Sequence, residues 1–219
     1  SEMCIRDSIG SKDDEGLKRT VHTAVIICLA GGILITVFGI LFSHNILALM
    51  NTKDELIDGA VLYLRIYLLG MPALGLYNFG NAVLSAAGDT KRPLYYLAFA
   101  GVVNVILNLF FVIVCHLGVA GVALASMISQ FISAFLILRA LLTGKEKYCL
   151  RLSEIRFDKR KAVGILQIGI PSAFQYSLFA FANLFVQSSV NSFDHVLVEG
   201  NSAAANADPL VYDMMAAFY

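Results

Sequence analysis

Asn104 and Asn108 stand four residues apart inside an otherwise apolar run, with Gly101 beside them. On a helix that spacing sets both amides on one face, one above the other. An amide carries an accepting oxygen and a donating NH2, and leaving either unsatisfied in hydrocarbon costs several kcal/mol. That face must therefore look into protein. Two uses fit it: interhelical hydrogen bonds, worth about 1 kcal/mol each, or an oxygen set for a cation in a polar cavity, with Asn81 and Ser126 as companions on adjacent helices. Spacing alone favours the first.

The same device recurs later in the chain, where Gln175, Asn183, Gln187 and Asn191 fall on one stripe at multiples of four. Four amides exceed what packing requires, and water satisfies a row of amides easily, so a wet cavity wall and helix glue stand level here. Asn78, ahead of Asn81, is a further cavity-lining candidate. No Asp or Glu interrupts the first five apolar runs, so no proton carrier stands in them. Asp208 and Asp213 follow in a sixth run, where headgroup depth accounts for Asp213 more simply than function does. His22, His44, His116 and His195 lie near the ends of runs, which suits interfacial hydrogen bonding. Hydrolase, phosphate-loop and dinucleotide motifs are not found, and Cys4, Cys28, Cys115 and Cys149 have neither metal-site nor disulfide spacing.

These amides sit in a chain of 219 residues that is 58% hydrophobic and 15% charged, with a formal net charge of zero. Mean hydropathy is +0.74. Such values exclude a water-soluble globule and give no support to a nucleic-acid partner. An all-α, polytopic transmembrane bundle is expected. Residues Val21 to Phe42 form a first span; at about 1.5 Å per residue it covers a hydrocarbon core of roughly 30 Å. A polar loop, Ser43 to Asp58, follows. The second span, Ala60 to Ala87, carries Gly70 and Pro72, which predict a kink, because proline removes a helical hydrogen bond and the freed carbonyl needs another donor. Gly88 suits the left-handed end of that helix and Pro93 the first turn of the next, so residues 86–93 predict a tight hairpin. A third span runs from Leu94 to Cys115. The fourth, Gly121 to Leu142, sets Gly121, Ala125, Ser129 and Ser133 on one small-residue stripe and predicts an interface helix. A charged linker leads to a fifth span, Ala162 to Val190, with a second kink expected at Gly169 and Pro171.

Of the sixteen Lys and Arg residues, only Lys53 and Arg65 fall on the face opposite the others when the spans alternate. The asymmetry predicts that residues 9–20, 88–93 and 143–161 are cytoplasmic, and Arg65 is expected to snorkel to the outer interface. Residues 1–8 resemble a non-native leader, and the apolar pattern at Tyr219 has no stop signal, so both ends read as cut.

The order of these motifs is similar to one family. Gly70-Met71-Pro72, Tyr77-Asn78, Gly88-Asp89-Thr90-Lys91-Arg92-Pro93, Asn104 to Asn108 and the run Gly118 to Ser126 resemble helices four to six of the bacterial multidrug and toxic compound extrusion (MATE) transporters. Gly169-Ile170-Pro171 with Gln175, then Asn191-Ser192-Phe193, Gly200 to Asn206 and Val211-Tyr212, resemble helices seven and eight. The resemblance implies a partial MATE-type fold, with helices 3–6 of the first lobe in residues 9–143, an interlobe linker in 144–161, and the start of the second lobe in 162–219. It implies a monomeric antiporter in the bacterial inner membrane, exporting cationic or amphipathic compounds in exchange for Na+ or H+, with no cofactor and no enzymatic activity. By position it carries Asn81, Asn104, Asn108 and Ser126 to the cation site. Asn78, Gln175, Asn183, Gln187 and Asp208 go to the cavity lining, and Gly70, Pro72, Gly169 and Pro171 to points of bending. Asn108 stands where some members have aspartate, and Phe179 near where some have glutamate, so proton binding at either place is in doubt. The rival readings are a flippase for lipid-linked sugars, which calls for basic residues that these spans lack, and a membrane enzyme whose catalytic part lies elsewhere.

Overall fold

The computed structural model describes residues 5, 7, 14–50, 52, 54–144, 148–151, 156–190 and 200. Six α-helices carry the fold: α1 (Asp14–Leu49), α2 (Asp54–Leu69), α3 (Met71–Ala86), α4 (Lys91–Leu109), α5 (Gly118–Thr143) and α6 (Lys159–Val190). A π-helical turn, Phe110–Val114, extends α4. Among the described residues there is no strand. Four helices are long and apolar enough to cross a bilayer, namely α1, α4 with its π turn, α5 and α6, and the bent pair of α2 and α3 makes a fifth. The molecule is a multi-pass membrane protein. Its outward faces are apolar, with Leu34, Phe38, Phe99, Val105 and Phe135 among the exposed residues, as suits a lipid-facing surface.

Packing proceeds as a row. α1 lies against α2 and α3, α5 lies against α2, α3 and α4, and among the described residues α6 packs chiefly against α1. The buried cluster joins Leu17, Val21 and Ala24 of α1 to Ala73, Tyr77, Phe79 and Val83 of α3 and to Ala134, Ile137 and Leu141 of α5. Ile5, ahead of α1, is buried in the same cluster.

The second span is broken. Residues Leu56–Leu69 and Met71–Ala86 meet at 44° across Gly70, where the sequence pointed to a kink. Pro72 has no N–H to offer the Leu68 carbonyl four residues earlier, and an orphan carbonyl at this depth costs several kcal/mol. Thr36 of α1 supplies the missing donor: its Oγ1 lies 2.7 Å from the Leu68 carbonyl oxygen and 2.9 Å from that of Gly32 in its own helix. Thr36 reaches this far because α1 comes unusually close. A Cβ on Gly32 would stand 2.7 Å from Pro72 Cα, and one on Gly75 would stand 3.2 Å from the Cys28 carbonyl oxygen. Cys28, Gly32 and Thr36 recur at four-residue steps, so one face of α1 forms the seat of the break.

Two expectations are corrected. The segment from Ser43 to Asp58 is mostly helix: α1 runs on to Leu49 and α2 begins at Asp54. At 36 residues α1 outlasts its apolar core, and its last turns, with His44 and Asn45, are a polar extension. Arg65 Nε donates to Ser43 Oγ at 3.0 Å, tying that extension to α2. The connection before α5 is shorter than expected, since α5 starts at Gly118 after a positive-φ His116. At Pro171 α6 continues without a break. The run at 202–219 lies outside the described residues.

The hairpin is as expected. Gly88 has φ +88°, Gly88 N donates to the Ser85 carbonyl at 3.0 Å, and Asp89 N donates to the Leu84 carbonyl at 2.9 Å, which closes α3 in a Schellman motif. Asp89 then turns to the next helix, accepting from Arg92 N at 3.2 Å and pairing with Arg92 Nε at 3.0 Å. Tyr77 OH donates to the Pro93 carbonyl at 3.0 Å and pins α4 to α3.

The seat on α1 makes a direct test. Replacing Gly32 by Ala forces a methyl into the Pro72 backbone and is expected to lower the thermal midpoint in detergent by about 5 °C. Its neighbour Gly31, where an added Cβ meets nothing within 4 Å, is expected to accept Ala with no loss. Equal midpoints for the two variants would refute the close approach.

Candidate functional site

Helix α4 can hold two amides in register because nothing in Lys91–Leu109 breaks it, and α5 offers small residues opposite. Four groups form one chain. Asn108 Nδ2 donates to Asn104 Oδ1 at 3.0 Å, Asn104 Nδ2 donates to Ser129 Oγ at 3.2 Å, and Ser129 Oγ donates to the Ser126 carbonyl at 2.8 Å. In this arrangement the hydroxyl hydrogen of Ser129 goes to a carbonyl, its oxygen receives an amide hydrogen, and Asn104 turns its own oxygen toward Asn108. Asn108 Oδ1 is what remains. It is buried and has no hydrogen-bond partner among the described residues.

Such an oxygen is a site in want of a donor or a cation. Asn104 Oδ1, which accepts from Asn108 Nδ2, keeps a second lone pair, so two amide oxygens one helical turn apart on α4 have accepting capacity to spare. Hard cations prefer oxygen ligands of this kind. A neutral amide exchanges no proton at physiological pH, so these residues by themselves carry no proton.

Immediately after Asn108 the helix widens into the π turn, where Cys115 N donates to the Phe110 carbonyl at 3.1 Å and Leu117 N to the Phe111 carbonyl at 3.0 Å. Single π turns are frequent at functional sites. Here the turn is held against Gly121, where an added Cβ would stand 2.9 Å from Phe111 Cβ.

The other expected residues are more scattered. Asn81 is on α3, where its Oδ1 accepts from Ser85 Oγ at 3.2 Å within the same helix, and no bond joins it to the α4 amides. Ser126 takes part through its backbone, while the hydroxyl that serves is that of Ser129. Asn78 is exposed on α3. Gln175 and Asn183 are exposed on α6 and Gln187 is half-buried, so the stripe has no wall opposite it among the described residues. Asn191 and Asp208 lie outside them. Gly70 and Pro72 form the break, whereas Gly169 and Pro171 sit in uninterrupted helix.

Two contributors were not singled out from the sequence. Ser129 appeared there only as one small residue of a stripe, although its place three residues after Ser126 keeps it on the same face. Gln130 is the other. Its Oε1 is buried without a partner and occupies the space that a side chain at Gly70 would need, so the break in the second span and the amide helix are both packed against α5.

The MatE family model matches residues 4–110, the stretch that holds α1, the broken span, the hairpin and both α4 amides. Two Bacillus subtilis (strain 168) proteins extend the match beyond it. The probable multidrug resistance protein YpnP is 30% identical over 203 residues, covering 92% of this chain and 45% of its own length. This chain belongs to the MATE family. A second relative, the probable multidrug resistance protein YoeA, is 31% identical over 202 residues, or 88% of this chain and 43% of its own length. The chain thus spans about half the length of the curated relatives it matches. Solved MATE-type folds agree. A MOP-superfamily transporter from Pyrococcus furiosus Vc1 superposes with a TM-score of 0.83 at 24% identity, over 95% of this chain and 47% of that one. A multidrug resistance MATE transporter superposes in its outward-facing form with a TM-score of 0.77 (24% identity, 84% of this chain and 41% of that one). An inward-facing structure of a multidrug resistance MATE transporter gives 0.72 (24% identity, 87% and 41%).

A double-mutant cycle on Asn104→Ala and Ser129→Ala, read as thermal stability, is expected to give a coupling of about 0.6 kcal/mol, the usual worth of a hydrogen bond between membrane helices. Additive effects would mean that the two side chains do not meet.

Proposed function

We propose that the protein carrying this chain is a secondary antiporter that exports cationic or amphipathic compounds in exchange for Na+ or H+ by alternating access. The observation that carries the reading is Asn108 Oδ1, a buried and unpartnered oxygen one helical turn from a second amide oxygen on a membrane-spanning helix. Family membership supplies the class of activity, since the named relatives are described as probable multidrug resistance proteins. Inward-facing and outward-facing MATE structures both resemble this chain, which is in keeping with alternating access.

On this reading Asn104 and Asn108 are cation ligands and Asn104 is oriented by Ser129. Asn81 and Ser126 contribute from the neighbouring helices when the lobe changes state. The cation is carried, so its affinity must change between the two faces. Amides supply oxygen without fixed charge, which suits a site that must also release. The charge that discriminates H+ from Na+ comes from outside these spans, because no Asp or Glu lies in them. Drug-sized cations are held mainly by apolar wall area, and the exposed amides of α6, Gln175 and Asn183 with half-buried Gln187, line the polar part of that wall. The Gly70–Pro72 break is the bending point of this lobe. Residues 88–93 and 143–161 face the cytoplasm by the distribution of Lys and Arg, and the membrane is the bacterial inner membrane.

The test uses proteoliposomes of the protein with whatever sequence flanks this chain in its gene. Ethidium efflux is measured under an imposed Na+ gradient and under an imposed H+ gradient, with Asn108→Ala in parallel. Efflux driven by one gradient and reduced at least about tenfold in Asn108→Ala is the expected result, the loss corresponding to roughly 1.4 kcal/mol or more. Undiminished efflux would return Asn108 to a packing role. No efflux under either gradient would refute the antiport.

A further inference from the structure

A cavity of about 590 Å³ opens between the first turns of α1 and residues 156–159, where the chain re-enters the membrane as α6. Four cations line it: Lys18 and Arg19 from α1, Arg156 and Lys159 from the re-entry segment. Two carboxylates, Glu15 and Asp158, line it as well, and both lie on Arg19, at 2.8 and 3.8 Å. Arg156 and Lys159 are exposed, with no carboxylate partner among the described residues. The cavity is therefore positive on balance.

Backbone groups as well as the Arg19–Asp158 pair hold its walls in place. Asp158 caps α6, accepting from Arg160 N at 2.9 Å and Lys161 N at 3.2 Å, and its own N–H donates to Thr23 Oγ1 at 3.1 Å. Arg151 N donates to His22 Nε2 at 3.4 Å. The free amides of the α6 terminus are thus already engaged, and any anion here is left to the side chains. Depth is fixed by the sequence: the apolar run of α1 starts at Val21 and that of α6 at Ala162, so the cations stand about one turn outside the hydrocarbon, at headgroup level. Phe157, at 58% exposure, stands in the same wall.

We propose that this cavity binds the phosphate headgroup of an acidic phospholipid from the leaflet at this end of the bundle, with Arg156 and Lys159 on the phosphate and Phe157 against the glycerol and upper acyl chain. The positive lining excludes a cationic drug. A soluble anion would leave Phe157 in water, whereas a lipid covers it. Basic pockets between membrane helices are suited to such headgroups, each Lys or Arg near the surface adding to the attraction.

The experiment is a lipid titration of the detergent-solubilised protein, with its flanking sequence, read by native mass spectrometry as the dissociation constant of the first bound phosphatidylglycerol or phosphatidylcholine. It uses neither drug nor gradient, so its outcome is independent of the antiport reading. Phosphatidylglycerol is expected to bind about tenfold more tightly than phosphatidylcholine, and Arg156→Gln/Lys159→Gln is expected to remove the preference. Lys91→Gln/Arg92→Gln, which removes as much charge from the α3–α4 hairpin at the same end of the bundle, is expected to keep it. Should the double variant not fold, Arg156→Gln alone is expected to weaken the preference and Arg156→Lys to retain it. Equal binding of the two lipids, an equal loss in the hairpin variant, or displacement of phosphatidylglycerol by equimolar glycerol 3-phosphate would overturn the proposal. These outcomes point respectively to no site, to diffuse surface charge, and to a soluble anion.

Discussion

The carbonyl of Leu68 has lost its helical donor to Pro72, and it lies at a depth where no water can replace that donor. Thr36 of α1 replaces it, and almost everything else in the bundle follows from how near α1 must come to do so. Gly32 and Gly75 remove the side chains that would hold the two backbones apart. Once α1 is seated, α3 leaves the break at 44° and lays Tyr77, Phe79 and Val83 into the common core. α5 then fills the other side, with Gln130 in the space left by the missing side chain of Gly70.

The amide chain on α4 depends on this arrangement indirectly. α4 has little contact with α3 beyond the hairpin end, where Tyr77 holds Pro93. It is placed by α5, and α5 is placed by the broken span. Ser129 and Gln130 are consecutive, so one turn of α5 faces the α4 amides through the first residue and the break through the second. A shift of α5 along its axis would therefore be felt at both places together. That is a mechanical link between the bend and the buried oxygen of Asn108, built from adjacent side chains.

Much of this was legible in the sequence, and the failures are informative. The Gly88 turn was readable because a left-handed residue, a helix end and a following proline are local matters. The break at Gly70 and Pro72 was readable for the same reason. Gly32 and Thr36 were not, since a glycine within an apolar run declares close approach only when its partner is known, and here the partner is a backbone atom forty residues away in sequence. The extension of α1 beyond Phe42 was missed because His44 and Asn45 look like loop residues, yet they occupy a helix that has passed the apolar core. The face of Asn104 and Asn108 was legible from spacing, whereas the hydroxyl that orients them was hidden in a stripe that looked like packing alone.

Helix α6 buries only Ala162 and Ile165, both within two turns of its start, and exposes Phe174, Tyr176, Phe179 and Phe185 along the rest. Hydropathy is enough to commit such a segment to the bilayer, but nothing in this half of the bundle fixes its rotation about its own axis. Insertion and docking are thus separate events for α6, as they are for any membrane helix whose partners arrive after it. The bond from Asp158 N–H to Thr23 Oγ1 ties its start to α1, and the amide stripe of Gln175, Asn183 and Gln187 lies beyond that tie with no facing helix among the described residues.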